Sequence, residues 1–571
     1  MNCPSIHRTF GRTSRVIIRL VGSAVLVGST VLVTIAAAVP PGKIELTDVT
    51  EDTGIEFVHY DGSAGRYYLV EGMSAGLALI DFDSDGDHDL YLLNGAALDP
   101  PYPSPPPTNA LFRNEGGFRF RDITVSAEVG DTHFALGVAC GDYDNDGFTD
   151  IFVNNYGPNV LYHNNGDGTF SEVTLLTGIA AGNHVAGGAS FFDCDADGDL
   201  DLYVGNYIKF DQKAHKTHWH KGLPAYPSPM RYEPDEDQLF RNDADGSFTE
   251  VSGDSGVASV AGRTMGLVTF DYDDDGDIDV MVANDAQENF LFENDGTGHF
   301  EEVGLLAGVA YDFKAKPQAS MGVELVDLDG DLRLDLYLTS FSEEFACYYR
   351  NLGAGLFDDR SLAAGALEAT FSHITWGVVA ADFDNNGYPD LFIATGDLDD
   401  LRNQRGGMSS TTAYKIRNVL LYNQGGGKLV DLKDDWGSGG HRESSSRGAV
   451  GGDFDGDGRV DLVVLNSRES IQVLRNTSPR ADTRWLEIDL VGRRSSRDAF
   501  GSKILIEQIG HRQVIQTRSG HSYQCEGSKT VHFGLISDVD PVNIEIQWLS
   551  GAQSQLRVLP GQRVTVIEPT P

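Results

Sequence analysis

Seven times along the chain, aspartates occupy alternate positions, a glycine follows, and a further aspartate opens an apolar run, in the pattern D-x-D-x-D-G-x-x-D. The acidic positions are Asp81, Asp83, Asp85 and Asp89, then Asp142, Asp144, Asp146 and Asp150, then Asp193, Asp195, Asp197 and Asp201. They continue as Asp271, Asp273, Asp275 and Asp279, then Asp327, Asp329, Asp331 and Asp335, then Asp382, Asp384, Asn386 and Asp390, and finally Asp453, Asp455, Asp457 and Asp461. Alternate carboxylates on a tightly curled loop can face one centre. An all-oxygen donor set with a flexible shell suits Ca²⁺ better than Mg²⁺, and the carbonyl of Asp87 can add a backbone oxygen. Gly86 allows the sharp turn. Without a cation the clustered carboxylates would repel one another, which disfavours a merely solvated acidic turn. The fifth repeat has Leu332 at the glycine position and the sixth has Asn386 in place of an acid. The Asp327 loop is therefore expected to be the weakest of up to seven Ca²⁺ sites, with the Asp382 loop next.

The elements that must hold these loops follow from what flanks them. The first half of each loop is like an EF-hand loop, but no glutamate at position 12 and no exit helix follow; Leu90-Tyr91-Leu92 reads as a strand. In the second unit Gly137-Val138-Ala139 enters the loop and Ile151-Phe152-Val153 leaves it. A hairpin follows, turning at Asn165-Gly166-Asp167-Gly168. Four-stranded units whose loops start 61, 51, 78, 56, 55 and 71 residues apart predict an all-β fold, a seven-bladed β-propeller. The seventh unit lacks its last strand after Ile471–Asn476, and residues 44–50 supply that strand type, so the N-terminal strand is expected to close the ring. Loops between strands one and two share a face with the hairpin turns. The long insertions at 95–109, 208–237 and 396–418 lie between strands two and three and belong to the opposite face, where recognition is expected. Trp219, Tyr226 and Tyr232 are the candidate anchors there.

The formal charge is −42, from 85 acidic and 43 basic residues. The loops hold 4 × 7 − 1 = 27 of the aspartates, and seven Ca²⁺ would leave −42 + 14 = −28. Such a balance excludes a nucleic-acid footprint. Arg8, Arg12, Arg15 and Arg19 precede an uncharged stretch from Leu20 to Ala38. Residues 1–40 thus read as a signal peptide or an uncleaved membrane anchor, and the protein as secreted, periplasmic or at the cell surface. Cys140, Cys194, Cys347 and Cys525 are scattered and are expected to be buried thiols.

The repeats resemble the FG-GAP/VCBS repeats of integrin α-subunit propellers. The whole arrangement is similar to the cartilage acidic protein family, whose propeller is followed by an ASPIC/UnbV domain. The C-terminal residues that carry the resemblance are Trp485, Gly501-Ser502-Lys503, Ser519-Gly520-His521-Ser522-Tyr523, Val531-His532-Phe533-Gly534-Leu535 and Gln547-Trp548-Leu549-Ser550-Gly551. In the propeller they are Thr375-Trp376-Gly377-Val378 and Arg447-Gly448. The resemblance implies a propeller over 41–480 and an ASPIC/UnbV domain over 481–571. Read on its own residues, 485–568 alternates apolar and polar positions, as at Leu486, Ile488 and Leu490, and predicts a small sandwich-like domain of about seven strands.

The chain carries no HExxH, GxSxG, phosphate-cradling glycine loop or dinucleotide fingerprint. His215, His218 and His220 around Trp219 could bind a transition metal or stack on a sugar, against the plainer reading of a solvated loop. Two functions remain. One is a non-enzymatic, calcium-binding recognition or adhesion protein with a protein or glycan ligand. The other is a carbohydrate-binding or polysaccharide-active protein, since related repeats occur in lectins and lyases.

Overall fold

The computed structural model describes residues 43–570 apart from 74–75, 181, 366, 399, 402–413 and 480–483. The expected signal or anchor at 1–40 lies outside the described residues, as does part of the 396–418 insertion. Among the described residues no helix is long and apolar enough to cross a membrane.

The chain is all-β. Seven four-stranded antiparallel sheets follow one another, each in simple strand order. The first pairs Leu77–Ile80, Asp89–Leu92, Ala110–Asn114 and Phe120–Asp122. The first strands of the other six are Phe134–Gly141, Ala186–Phe192, Thr264–Phe270, Val323–Val326, Thr375–Ala381 and Ser446–Gly452. Each first strand touches the next, and Ser446–Gly452 touches Leu77–Ile80, so the sheets stand in a closed, propeller-like ring around an axis. Glycine sets how closely those inner strands approach. A Cβ on Gly266 would lie 2.3 Å from the Met321 carbonyl oxygen, and one on Gly322 would lie 2.3 Å from that of Trp376.

The last sheet takes its outer strand from the other end of the chain. Leu46–Asp48 pairs with Gln472–Asn476, Leu46 opposite Asn476. Ile44 and Leu46 are buried in one core cluster with Leu474 and Trp436. Two fully buried aliphatic side chains contribute about 3–6 kcal/mol together. A chain starting at residue 51 is therefore expected to melt lower than one starting at 41 and to self-associate through the bared edge. Equal melting temperatures and equal masses by light scattering would count against this closure.

The C-terminal region forms a three-stranded sheet (Val531–Gly534, Trp485–Val491, Gln562–Ile567) and a four-stranded one (His511–Gln516, Lys503–Gln508, Val542–Gln547, Gln553–Val558). Leu486, Ile488, Ile504, Ile506, Ile544, Ile546 and Trp548 share its core.

The segment from Ser519 to Glu526 leaves this module and fills the axis of the ring. Inner strands have one edge facing the axis, with backbone groups that need partners. Val323 N donates to Ser522 O at 2.9 Å and Val378 N to Ser522 Oγ at 2.9 Å. Leu79 N donates to Glu526 O at 3.1 Å, Glu526 N to Leu77 O at 3.0 Å, and Cys140 N to Glu526 Oε2 at 3.2 Å. Ser190 Oγ donates to Ser519 O at 2.9 Å. Tyr523 is fully buried, meets the Trp376 ring edge-on at 5.1 Å and donates to Met73 O at 2.9 Å. Trp376 in turn donates to Gly396 O, where one long insertion begins. The segment thus runs through the ring to the face of the insertions.

Burial raises the Glu526 carboxyl from 4.5 to about 7, although Ser519, Gly520 and Cys140 all donate to it. A carboxylate raised in the folded state contributes most below its unfolded value, and that contribution is lost as pH rises through about 7. Glu526→Gln removes the titration. Its melting temperature is expected to fall less than the parent's between pH 5 and 8, a difference on the order of 3 kcal/mol across the window. Parallel curves for the two proteins would show that Glu526 stays ionised.

Candidate metal centre

All seven acidic loops are built alike, from the backbone outward. The first aspartate accepts the N–H groups of the fifth and sixth loop residues; Asp81 takes Asp85 N and Gly86 N, both at 3.1 Å. The fifth aspartate accepts from the seventh residue, as Asp85 does from Asp87 N at 3.0 Å. These bonds curl the loop and turn the remaining oxygens inward. In the fifth loop Leu332 takes the glycine's place with φ 71°, and its N–H still reaches Asp327 Oδ2 at 2.9 Å. The loop shape survives at the cost of a strained leucine.

The ninth aspartate ties each loop to its sheet. Asp89 Oδ1 accepts from Asn114 N, and the same bond joins Asp150 to Asn164, Asp201 to Asn242, Asp279 to Asn294, Asp335 to Asn351, Asp390 to Asn423 and Asp461 to Asn476, all at 2.7–2.9 Å. Each of these asparagines then donates from Nδ2 to the second loop residue of the preceding sheet. Asn164 reaches Phe82 O at 2.8 Å, and Asn114 closes the circle on Phe454 O at 3.1 Å. Seven buried asparagines thus staple each loop to its neighbour around the ring. The sequence carries their signal, because every third strand has an Asn at or near its end: LFRN, LYHN, LFRN, LFEN, YYRN, LLYN and VLRN.

The carboxylates converge as their spacing requires. Ligand atoms of Asp81, Asp83 and Asp85 lie within 4.8 Å of one another, as do those of Asp142, Asp144 and Asp150, of Asp193, Asp195 and Asp197, and of Asp271, Asp273 and Asp279. Asp83 Oδ1, Asp195 Oδ1 and Asp455 Oδ1, all in third position, are buried with no hydrogen-bond partner among the described residues. Burial first, then the neighbouring carboxylates, push Asp279 up to about 9, Asp89 to about 8 and Asp193 to about 7. Oxygens short of positive charge in an all-carboxylate cage fit a hard divalent cation.

The residue before each stapling asparagine faces the loop and distinguishes the copies. Arg113 lies 3.0 Å from Asp83 Oδ2 and 3.2 Å from Asp85 Oδ2. Arg350 contacts Asp329 and Asp331, and Arg475 contacts Asp455 at 2.5 Å. In the fourth loop the position is Glu293, which accepts from Tyr272 Oη at 3.1 Å and adds negative charge beside Asp273.

The C-terminal module covers this acidic face. Arg563 donates to Gly86 O, Asp142 N to Asp498 Oδ2, Arg497 N to Asn145 Oδ1, and Lys503 pairs with Asp271 at 2.9 Å. His511 Nε2 lies 2.8 Å from Gly387 O and His532 Nε2 lies 3.1 Å from Gly458 O. The sequence places the loops on one face with the hairpin turns and gives that face no cover. No local pattern announces the cover, whose partners lie 74 to 477 residues away.

On the opposite face the three insertions gather. Gln212 Nε2 donates to Leu98 O at 2.6 Å, and Leu98, Phe210, Tyr232 and Leu398 share one apolar cluster with Trp376 and Tyr523. Of the three candidate anchors only Trp219 stands free, 62% exposed on the hairpin His218–His220/Leu223–Ala225. Tyr226 packs on Tyr67 at 5.1 Å and Tyr232 on Phe210 at 5.8 Å, so both belong to the scaffold. The histidine trio is also divided: His215 reaches Arg66 O at 3.0 Å and rests on Tyr68 at 4.5 Å, which commits it to packing. The four cysteines are free and buried.

Comparison with known proteins places these features in context. The FG-GAP-like repeat model matches residues 81–153, 142–204, 271–338 and 327–393, and the ASPIC and UnbV model matches 492–571. Cartilage acidic protein 1 of Homo sapiens is 24% identical over 527 residues, 87% of this chain and 72% of that protein. The Mus musculus protein is 25% identical over 526 residues, 87% of this chain and 73% of that one. Among solved structures, an Agrocybe aegerita lectin is 15% identical, with 65% of this chain and 88% of the lectin covered and a TM-score of 0.39.

Proposed function

From the premise that this is a cartilage acidic protein-like chain, FG-GAP repeats followed by an ASPIC/UnbV domain, we propose an exported, calcium-binding, non-enzymatic recognition or adhesion protein on a seven-bladed β-propeller. The observation that carries the reading is the repeated cage: 27 aspartates and Asn386, held by one backbone pattern in seven loops. Ca²⁺ would be held by the first, third, fifth and ninth residues of each loop and would supply the positive charge those oxygens lack. Of the 85 acidic residues, 27 are committed to these loops. With the acidic face covered by the C-terminal module, the insertions on the other face are the surface left for a ligand, a protein or a glycan.

Trp219 is the expected anchor of that surface. An exposed indole on a short rigid hairpin costs little entropy to bury and offers a large apolar area. The test is a glycan array and an extracellular-protein array, both probed with calcium-loaded protein. Trp219→Ala is expected to leave the melting curve unchanged and to weaken capture at least tenfold, about 1.4 kcal/mol. Glycan hits lost in Trp219→Ala would select the carbohydrate-binding form of the proposal. Hits indifferent to the substitution would move recognition away from this hairpin.

A further inference from the structure

The sixth loop is the most enclosed of the seven. Asp382, Asp384, Asn385 and Asn386 keep only 7%, 2%, 4% and 6% of their surface, whereas Asp85, Asp146, Asp197 and Asp275 of the first four loops are exposed. The cover is the C-terminal module. The backbone of Gly534 lies on the loop so tightly that a Cβ there would fall 1.8 Å from Asp382 Oδ2 and 2.8 Å from Asn385 Cα. His511 sits over the turn, with Nε2 2.8 Å from Gly387 O and its ring 5.0 Å from that of Tyr388. Asn385 Nδ2 donates to Gly458 O at 2.9 Å and shuts the side toward the seventh loop.

The floor of this enclosure differs as well. In the other six loops the ninth aspartate uses its second oxygen to accept from the second loop residue; Asp461 Oδ2 takes Phe454 N at 3.0 Å, for example. In the sixth, Phe383 N turns to Ala381 O at 3.1 Å. Asp390 is fully buried and its Oδ2 lacks a hydrogen bond of normal geometry among the described residues, with the Phe383 N–H beside the carboxyl as a weak contact. Asp382 and Asp384 are the carboxylates nearest it in charge. The position that carries Arg113, Arg350 and Arg475 elsewhere is Tyr422, whose hydroxyl accepts from Asn386 Nδ2 at 3.2 Å. A buried acidic oxygen without a well-formed hydrogen bond, beneath a close-fitting cover, is short of one cation.

We propose that the sixth loop holds a divalent cation sealed between the ring and the C-terminal module, the last to leave on chelation. This rests on the calcium reading above and makes one site, ranked near the bottom on sequence, the slowest to exchange. An ion there cannot depart along an open loop; the module must first lift from Gly387 and Asp382.

The experiment is release from the calcium-loaded full chain into excess chelator below the melting transition, with bound Ca²⁺ counted by elemental mass spectrometry at intervals and the fold followed by circular dichroism. The expected result is a fast loss of most ions and then one ion per chain leaving at least tenfold more slowly. Asp390→Asn should abolish the slow step. His511→Ala, which thins the lid without touching a ligand, should speed it several-fold with the starting count unchanged. Release of all ions in one phase overturns the inference while leaving calcium binding intact, and so does a slow step that Asp390→Asn leaves in place. A loaded protein that carries no Ca²⁺ at all overturns the calcium reading and this inference with it.

Discussion

Tyr523→Ala is expected to destabilise the whole ring, by about 3–5 kcal/mol, although the residue belongs to the C-terminal module. Its side chain is fully buried at the axis, against Trp376, and it anchors a segment that hydrogen-bonds the inner strands of five sheets. Truncation leaves a void among inner strands that cannot collapse, because glycines such as Gly266 and Gly322 already hold them at contact. It also strips Met73 O of its donor. Removal of residues 485–571 should cost more, since Leu79, Cys140, Val323 and Val378 would each lose an axial partner for the backbone N–H and the acidic face would lose Lys503 and Arg563. The check is thermal unfolding of the full-length variant beside that of residues 41–480. If both melt with the parent, the axial segment is an ornament and the ring stands alone. The same result bears on binding experiments: deletion of the module would not isolate a recognition role, because the ring it leaves behind is damaged.

Much of this fold is legible in the chain because its determinants are local. The aspartate spacing, the glycine turn and the alternation after each loop lie within a dozen residues, so period and chemistry can be read together. The donor strand at 46–48 is legible by subtraction, because one unit lacks a strand that another part of the chain supplies. What escapes is long-range. Ser519 to Glu526 reads as a polar turn, and only the ring's unpaired inner edges explain why it is buried. Six of the seven stapling asparagines look like ordinary hairpin residues ahead of a turn, and Asn476 like the end of a strand. Their second bond, to the previous sheet, appears only once the sheets stand side by side. Tyr226 and Tyr232 illustrate the reverse error: aromatic residues on an insertion suggest a ligand, yet here they pack the insertion onto its own scaffold.

Chelation is expected to produce the larger effect on the protein as a whole. A ligand that binds only the folded state stabilises it by about 2.7 kcal/mol per site at a hundredfold excess over its dissociation constant. With several cages the sum rivals the 5–15 kcal/mol of an ordinary domain, as an order of magnitude. The contributions will be unequal. Arg113, Arg350 and Arg475 already offset charge in the first, fifth and seventh loops, so those cages have less to gain. The fourth, with Glu293 beside Asp273, has more. In excess chelator the melting temperature should therefore fall by more than ten degrees, on the order of the several kcal/mol above. Ca²⁺ should restore it, and Mg²⁺ should do so poorly because it demands a tight octahedron and gives up water reluctantly. Glu293→Gln should reduce the calcium-dependent part of the shift, and Arg113→Gln should enlarge it, since one removes and the other exposes negative charge at a cage. An unchanged melt on protein shown to be metal-free would mean that the arginines and backbone N–H groups suffice, and that the loops are acidic turns of the ring rather than ion sites.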